Sequence, residues 1–138
     1  RAEEYSLALA ERLGAEIVFF HSMRDALHPV LQTAFSVPTP PPEMLSLFEE
    51  IRETSLKQLK KKTALAARQG VSARSVLDEK TTSSSEAVLS EADRSAASLV
   101  IMGTHGRSTI SGAFFGRTAR DVILGAGIPV VTVQSKKS

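Results

Sequence analysis

Residues 99–121, LVIMGTHGRSTISGAFFGRTARD, constrain this chain more than any other stretch. An unbroken apolar run, Leu99-Val100-Ile101-Met102, opens it. A loop follows with glycines at 103, 106, 112 and 116, and the stretch closes on the start of a helical pattern. Arg107, Arg117 and Arg120 lie in this loop and helix start, with no acid between Gly103 and Arg120. A strand, a glycine-rich basic loop and a helix N-terminus together suit an anion. Backbone N–H groups can approach closely, and the helix start favours negative charge.

The rest of the chain supplies the frame. Residues 1–13 read as a helix with Ala2, Tyr5, Leu9 and Leu13 on its apolar face, stopped by Gly14. Ile17-Val18-Phe19-Phe20 suits a strand buried on both faces, as in a parallel sheet. Residues 24–42 contain Pro29, Pro38, Pro40, Pro41 and Pro42 and read as a surface loop. Residues 43–69 read as a long helix with Met44, Leu47, Phe48, Ile51 and Leu59 as its stripe. Its acids come early and its bases late, matching the helix dipole. After Gly70, residues 71–77 alternate as a strand. Ser83 and Glu86 form a capping-box pattern that opens a helix to residue 97. Residues 99–102 read as a strand, and a helix follows Gly116 with Ala119, Val122, Ile123 and Ala126 as its face. Residues 129–133 form the last strand. Strict helix–strand alternation predicts an α/β fold, a doubly wound parallel sheet with helices on both faces. The 138 residues make one domain.

Composition narrows the function classes. The net charge of +2 gives no reason to invoke nucleic acid or membrane as partner. The absence of cysteine excludes disulfides and thiolate metal sites and makes cytoplasm the default location. No apolar run is long enough to span a bilayer. His21, His28 and His105 are scattered and give no metal-site spacing. His105, Ser108 and Asp121 could be imagined as a catalytic set, but nothing in the sequence orients a nucleophile.

The loop matches neither common phosphate fingerprint, G-x-x-x-x-G-K-[ST] or G-x-G-x-x-G. It carries Gly103-x-x-Gly106, nine residues, then Gly116. GTHGRSTISGAFFG, set between an apolar strand and a helix followed by IPVVTV, resembles the universal stress protein family, and in particular its nucleotide-binding branch. The resemblance covers the whole chain. It implies a Rossmann-like fold of the adenine-nucleotide α-hydrolase type, with five parallel strands and an ATP or AMP site at their carboxyl ends. Gly103, Gly106 and Gly116 would bring backbone N–H groups to the phosphates. Residues 117 and 118, Arg117 and Thr118, would donate to phosphate oxygens, and Ser22 and Met102 would lie near ribose and adenine. A Mg²⁺ would arrive with ATP, held mostly by phosphates and water. The resemblance also implies a homodimer pairing through residues 130–133.

Two departures from the family pattern matter. Position 117 is arginine where the family has a small hydroxyl or amide residue. Its guanidinium could clamp a phosphate or fill the phosphate pocket. Arg107 reads equally as a phosphate clamp or a surface residue. Second, the family's central strand, which carries an adenine- or ribose-binding Asp, has no counterpart, because residue 1 already stands in the first helix. Two rows of unpaired buried backbone groups would each cost about 1–3 kcal/mol per group. The sequence therefore predicts an N-terminal segment ahead of residue 1 and no direct pairing between strands 17–20 and 99–102. Three functions are compatible with these residues: a nucleotide-binding stress-response dimer, a dimeric interaction module without nucleotide, and a slow ATP-hydrolysing or phosphoryl-transfer enzyme. The last ranks lowest because no positioned base is visible.

Overall fold

The computed structural model describes residues 1–34, 36, 38–39, 41–80, 83–104 and 116–134. Their order is α1 (Ala2–Leu13), β1 (Ile17–Ser22), α2 (Arg24–Ala34), α3 (Pro42–Arg68), β2 (Ala73–Asp78), α4 (Ser84–Arg94), β3 (Val100–Gly103), α5 (Arg117–Gly125) and β4 (Val130–Val133). The fold is α/β with parallel strands. β1 pairs with β2 in the register Ile17↔Ala73 to Ser22↔Asp78. β3 pairs with β4 from Val100↔Val130 to Gly103↔Val133. The two ladders are separate: among the described residues β1 is hydrogen-bonded only to β2 and β3 only to β4.

Local chemistry sets the helix ends. Gly70 takes φ 71°, the left-handed region that a Cβ disfavours. It lets Val71 N–H reach the Ala66 carbonyl and Gly70 N–H reach Ala67, both within 3.0 Å. This Schellman pairing joins Val71 to Ala66, and both side chains are buried in the main core. Gly14 stops α1 in the same region, with φ 62°. Ser83 caps α4 by accepting from Glu86 N–H at 3.5 Å, as the capping-box pattern predicts.

The core gathers Leu7, Ala10, Phe19, Leu59, Ala66 and Val71, with Ile17, Ala73 and Leu77 packed against it. This differs from several expectations. In α1 the buried residues are Leu7 and Ala10, while Tyr5 and Leu13 are exposed. The helix is rotated relative to the predicted stripe, which placed bulky residues ahead of the small Ala10 that fits against the sheet. In α3 only the carboxyl-terminal half enters the core, through Ser55, Leu59 and Ala66; Leu47 of the predicted stripe is exposed. Both faces of β1 were expected to be buried, yet only Phe19 is fully so.

The largest difference is α2, which forms where a surface loop was expected. Four of that segment's five prolines lie beyond the helix, and only Pro29 lies inside it. An interior proline costs about 3 kcal/mol. Met23 and Leu27 are both fully buried, and Leu27 N–H donates to the Met23 carbonyl at 2.9 Å. Burying two such side chains contributes about 1.5–3 kcal/mol each, enough to offset the proline.

Candidate functional site

The residues expected at the site fall into two groups. The first lies at the carboxyl ends of β1 and β2, the region where open parallel sheets place ligands. The register sets Ser22 opposite Asp78. Ser22 Oγ donates to Asp78 Oδ2 at 3.4 Å and accepts from Arg24 N–H at 3.4 Å and from Ser84 Oγ at 3.5 Å. Lys80 N–H donates to Asp78 Oδ1 at 3.4 Å, and Met23 N–H donates to the Asp78 carbonyl at 2.9 Å. Ser84 and Ser85, in the first turn of α4, are buried. This hydroxyl–carboxylate cluster ties the β1–α2 junction to the β2–α4 junction. Ser22 was the one member singled out from sequence. Asp78 and Ser84 were missed because only the parallel register brings them to it.

The second group lies at the end of β3 and the start of α5. Met102 pairs with Thr132 and Gly103 with Val133. Thr104, almost fully buried, extends the ladder by donating its N–H to the Val133 carbonyl at 3.2 Å. Its carbonyl accepts from Gly116 N–H at 2.6 Å. That bond joins the strand end to the N-cap of α5. Gly116 has φ −66°, open to any residue, so its value here is not conformational. Its N–H is already engaged by Thr104, whereas the expectation had it facing phosphate. The first bond of α5 runs from Arg120 N–H to the Gly116 carbonyl at 3.1 Å. The N–H groups of Arg117, Thr118 and Ala119 therefore have no acceptor within the helix. Thr104 went unnoticed in the sequence because nothing local marks it.

The Arg117 side chain is 96% exposed and its Nε lies 4.0 Å from Asp121 Oδ2, one turn along α5. Arg120 is exposed and Thr118 half-buried. Gly106 and Arg107, with His105 and Ser108, lie outside the described residues. Among the described residues, no group of three or more His, Asp or Glu side chains could hold a metal ion, and no helix is long and apolar enough to cross a membrane.

A second charged centre lies between β2 and α4. Glu91 is almost fully buried and accepts from Ser95 Oγ at 2.7 Å, from Arg94 Nε at 2.9 Å and from Arg74 at 3.4 Å. Arg74 also lies 3.4 Å from Glu16. Burial pushes the Glu91 carboxyl upward, but the bonds from Ser95, Arg94 and Arg74 outweigh it and hold the carboxyl below its usual range.

Comparison with solved structures finds the same fold. Universal stress protein UspA from Lactobacillus plantarum is similar, with TM-score 0.75 and 14% identity over 96% of this chain and 86% of that one. A protein of the universal stress protein family from Burkholderia pseudomallei gives TM-score 0.66 and 22% identity, covering 97% and 85%. The universal stress protein from Archaeoglobus fulgidus in complex with dAMP gives TM-score 0.59 and 19% identity, covering 96% and 84%. Comparison with curated proteins finds no match. The sequence profile of the universal stress protein family matches residues 1–134, and this chain belongs to that family.

Proposed function

We propose that this universal stress protein binds an adenine nucleotide, ATP or AMP, at the end of β3 and the start of α5, and acts as a stress-response dimer in the cytoplasm. The observation that carries the reading is the junction at Thr104 and Gly116, which sets α5 directly behind the strand end. Three N–H groups there, of Arg117, Thr118 and Ala119, have no helical acceptor and can donate to phosphate oxygens. Gly103 ends β3 exposed, with no side chain to keep a ligand away. Gly106 and Arg107, which lie outside the described residues, are the further phosphate contacts of this reading, and Ser22 and Met102 would flank ribose and base. The Thr118 hydroxyl adds a donor. The Arg117 side chain is exposed with its Nε 4.0 Å from Asp121, one turn along the helix, which supports this reading over a guanidinium buried in the phosphate pocket. The dAMP complex of the Archaeoglobus fulgidus protein supports the ligand class. Any Mg²⁺ would be held by phosphates and water. Dimerisation would use the outer edge of β4, Val130–Val133.

Thermal shift and calorimetry with ATP, AMP and ribose test the reading. A nucleotide at a hundred times its Kd stabilises by about 2.7 kcal/mol. Gly103→Val should remove that shift with the fold retained. Absence of any shift with either nucleotide would leave the interaction module without nucleotide as the better account.

A further inference from the structure

The face of the β1–β2 ladder that meets α4 is incompletely covered. Between them lies a groove of about 460 Å³, within the roughly 300–1,000 Å³ typical of small-molecule sites. Its floor is apolar: Phe20 of β1, Val76 of β2 and Ala87 of α4. Its rim is charged. Glu91 is held by Arg94 and Arg74, Arg74 is balanced in turn by Glu16, and Glu79 is held by Arg52. Asp78, Glu86 and Lys80 also line the groove, and none of the three has an ion-pair partner among the described residues. Two carboxylates against one ammonium leave an excess of negative charge beside an aromatic ring. A groove of this volume, with an apolar strip under such a rim, suits a cation carried on an apolar frame, which can meet a carboxylate and apolar side chains together.

We propose that the groove between α4 and the β1–β2 ladder is a second ligand site, for small organic amines with an aromatic or branched aliphatic body. It lies beside the Ser22–Asp78 cluster and uses none of the α5 groups proposed for phosphate. Asp78 joins the two sites through Ser22, and the amine titration, which uses no nucleotide, tests the groove separately.

The test is a ¹H–¹⁵N NMR titration of the intact chain with phenethylamine, and with phenylacetate and phenethyl alcohol as charge-reversed and neutral controls. Phenethylamine should shift amides of Phe20, Val76–Lys80 and Glu86–Arg94, and bind about tenfold more tightly than phenylacetate, a ratio worth roughly 1.4 kcal/mol. Glu86→Gln keeps the backbone cap on Ser83 and removes one rim charge; it should weaken phenethylamine about threefold, the scale of an exposed charge pair. Ala87→Phe fills the floor and should abolish binding. Equal affinity for the three probes would overturn the proposal. So would shifts scattered away from the groove, or unchanged phenethylamine affinity in Glu86→Gln. The last reads out even if Ala87→Phe fails to fold.

Discussion

The two faces of the β1–β2 ladder are built from the same twelve positions and do opposite things. One face presents Ile17, Phe19, Ala73 and Leu77 to α1 and α3, where Leu7, Ala10, Leu59 and Ala66 complete an apolar core. The other presents Phe20, Ser22, Arg74, Val76 and Asp78 toward α4. It is held by charge and hydroxyl groups: Arg74 with Glu91 and Ser95, and Ser22 with Asp78 and Ser84. Strand alternation gives each residue one face. One face carries stability by burial, while the other holds α4 by directional contacts and leaves a groove beside it.

Leu59, which is 4% exposed, is the position where the apolar face is most vulnerable. Leu59→Ala should cost about 2–5 kcal/mol, read as a drop in the urea midpoint. A loss under about 1 kcal/mol would mean that the core face is not the main source of stability.

A smaller loss is expected on the α4 face. Glu91→Gln should cost about 1–2 kcal/mol, less than for a fully buried pair. The reason is that the side chains of Arg74 and Arg94 are 45% and 73% exposed and can be resolvated. The pH dependence has a fixed sign. The Glu91 pKa is lowered in the folded chain, so the unfolded chain binds the proton more readily. The stability it contributes is present above about pH 4.5 and is lost as pH falls from there through the lowered folded value. Acid unfolding of the wild type and Glu91→Gln should therefore converge at low pH. Parallel curves would show that Glu91 does not supply the acid sensitivity.

The end of α4 offers a gain. Ala96 sits at φ 48°, the left-handed region, exposed, where its N–H reaches the Asp93 carbonyl and Ala97 N–H reaches Ala92. This is the position that Gly70 fills after α3. Ala96→Gly should raise stability by about 1 kcal/mol, measured as a higher Tm. A lower Tm would show that Ala96 contributes packing that its exposure does not suggest.

The smallest effect is expected at Ser22. Its three hydrogen bonds are long, 3.4–3.5 Å, so Ser22→Ala should change stability by less than about 1 kcal/mol. If nucleotide affinity in the same variant falls while stability holds, Ser22 belongs to the ligand site as well as to the cluster.

Much of the frame was legible in advance. Glycine after α1 and α3, the Ser83–Glu86 cap, and the apolar run before Gly103 each signal within a few residues of the feature they cause. The segment after β1 was misread because proline density dominated it. Pro29 weakens α2 by a local rule, but Met23 and Leu27 restore it through burial that no local pattern reveals. At the candidate site, Gly103 and the start of α5 were readable from spacing. The Thr104–Gly116 bond was not, because it joins residues across the intervening loop.

By itself, the sequence determined the order of helices and strands apart from α2, where most helices stop, and the family to which the chain belongs. Those features rest on backbone preferences and periodicities that act over about one helical turn. Tertiary structure alone decided which side of α1 faces the core and how far α3 is buried. It also decided that Asp78 meets Ser22, 56 positions away. Such pairings follow from strand register and from competition between whole faces for burial, and both are settled only when distant segments pack together.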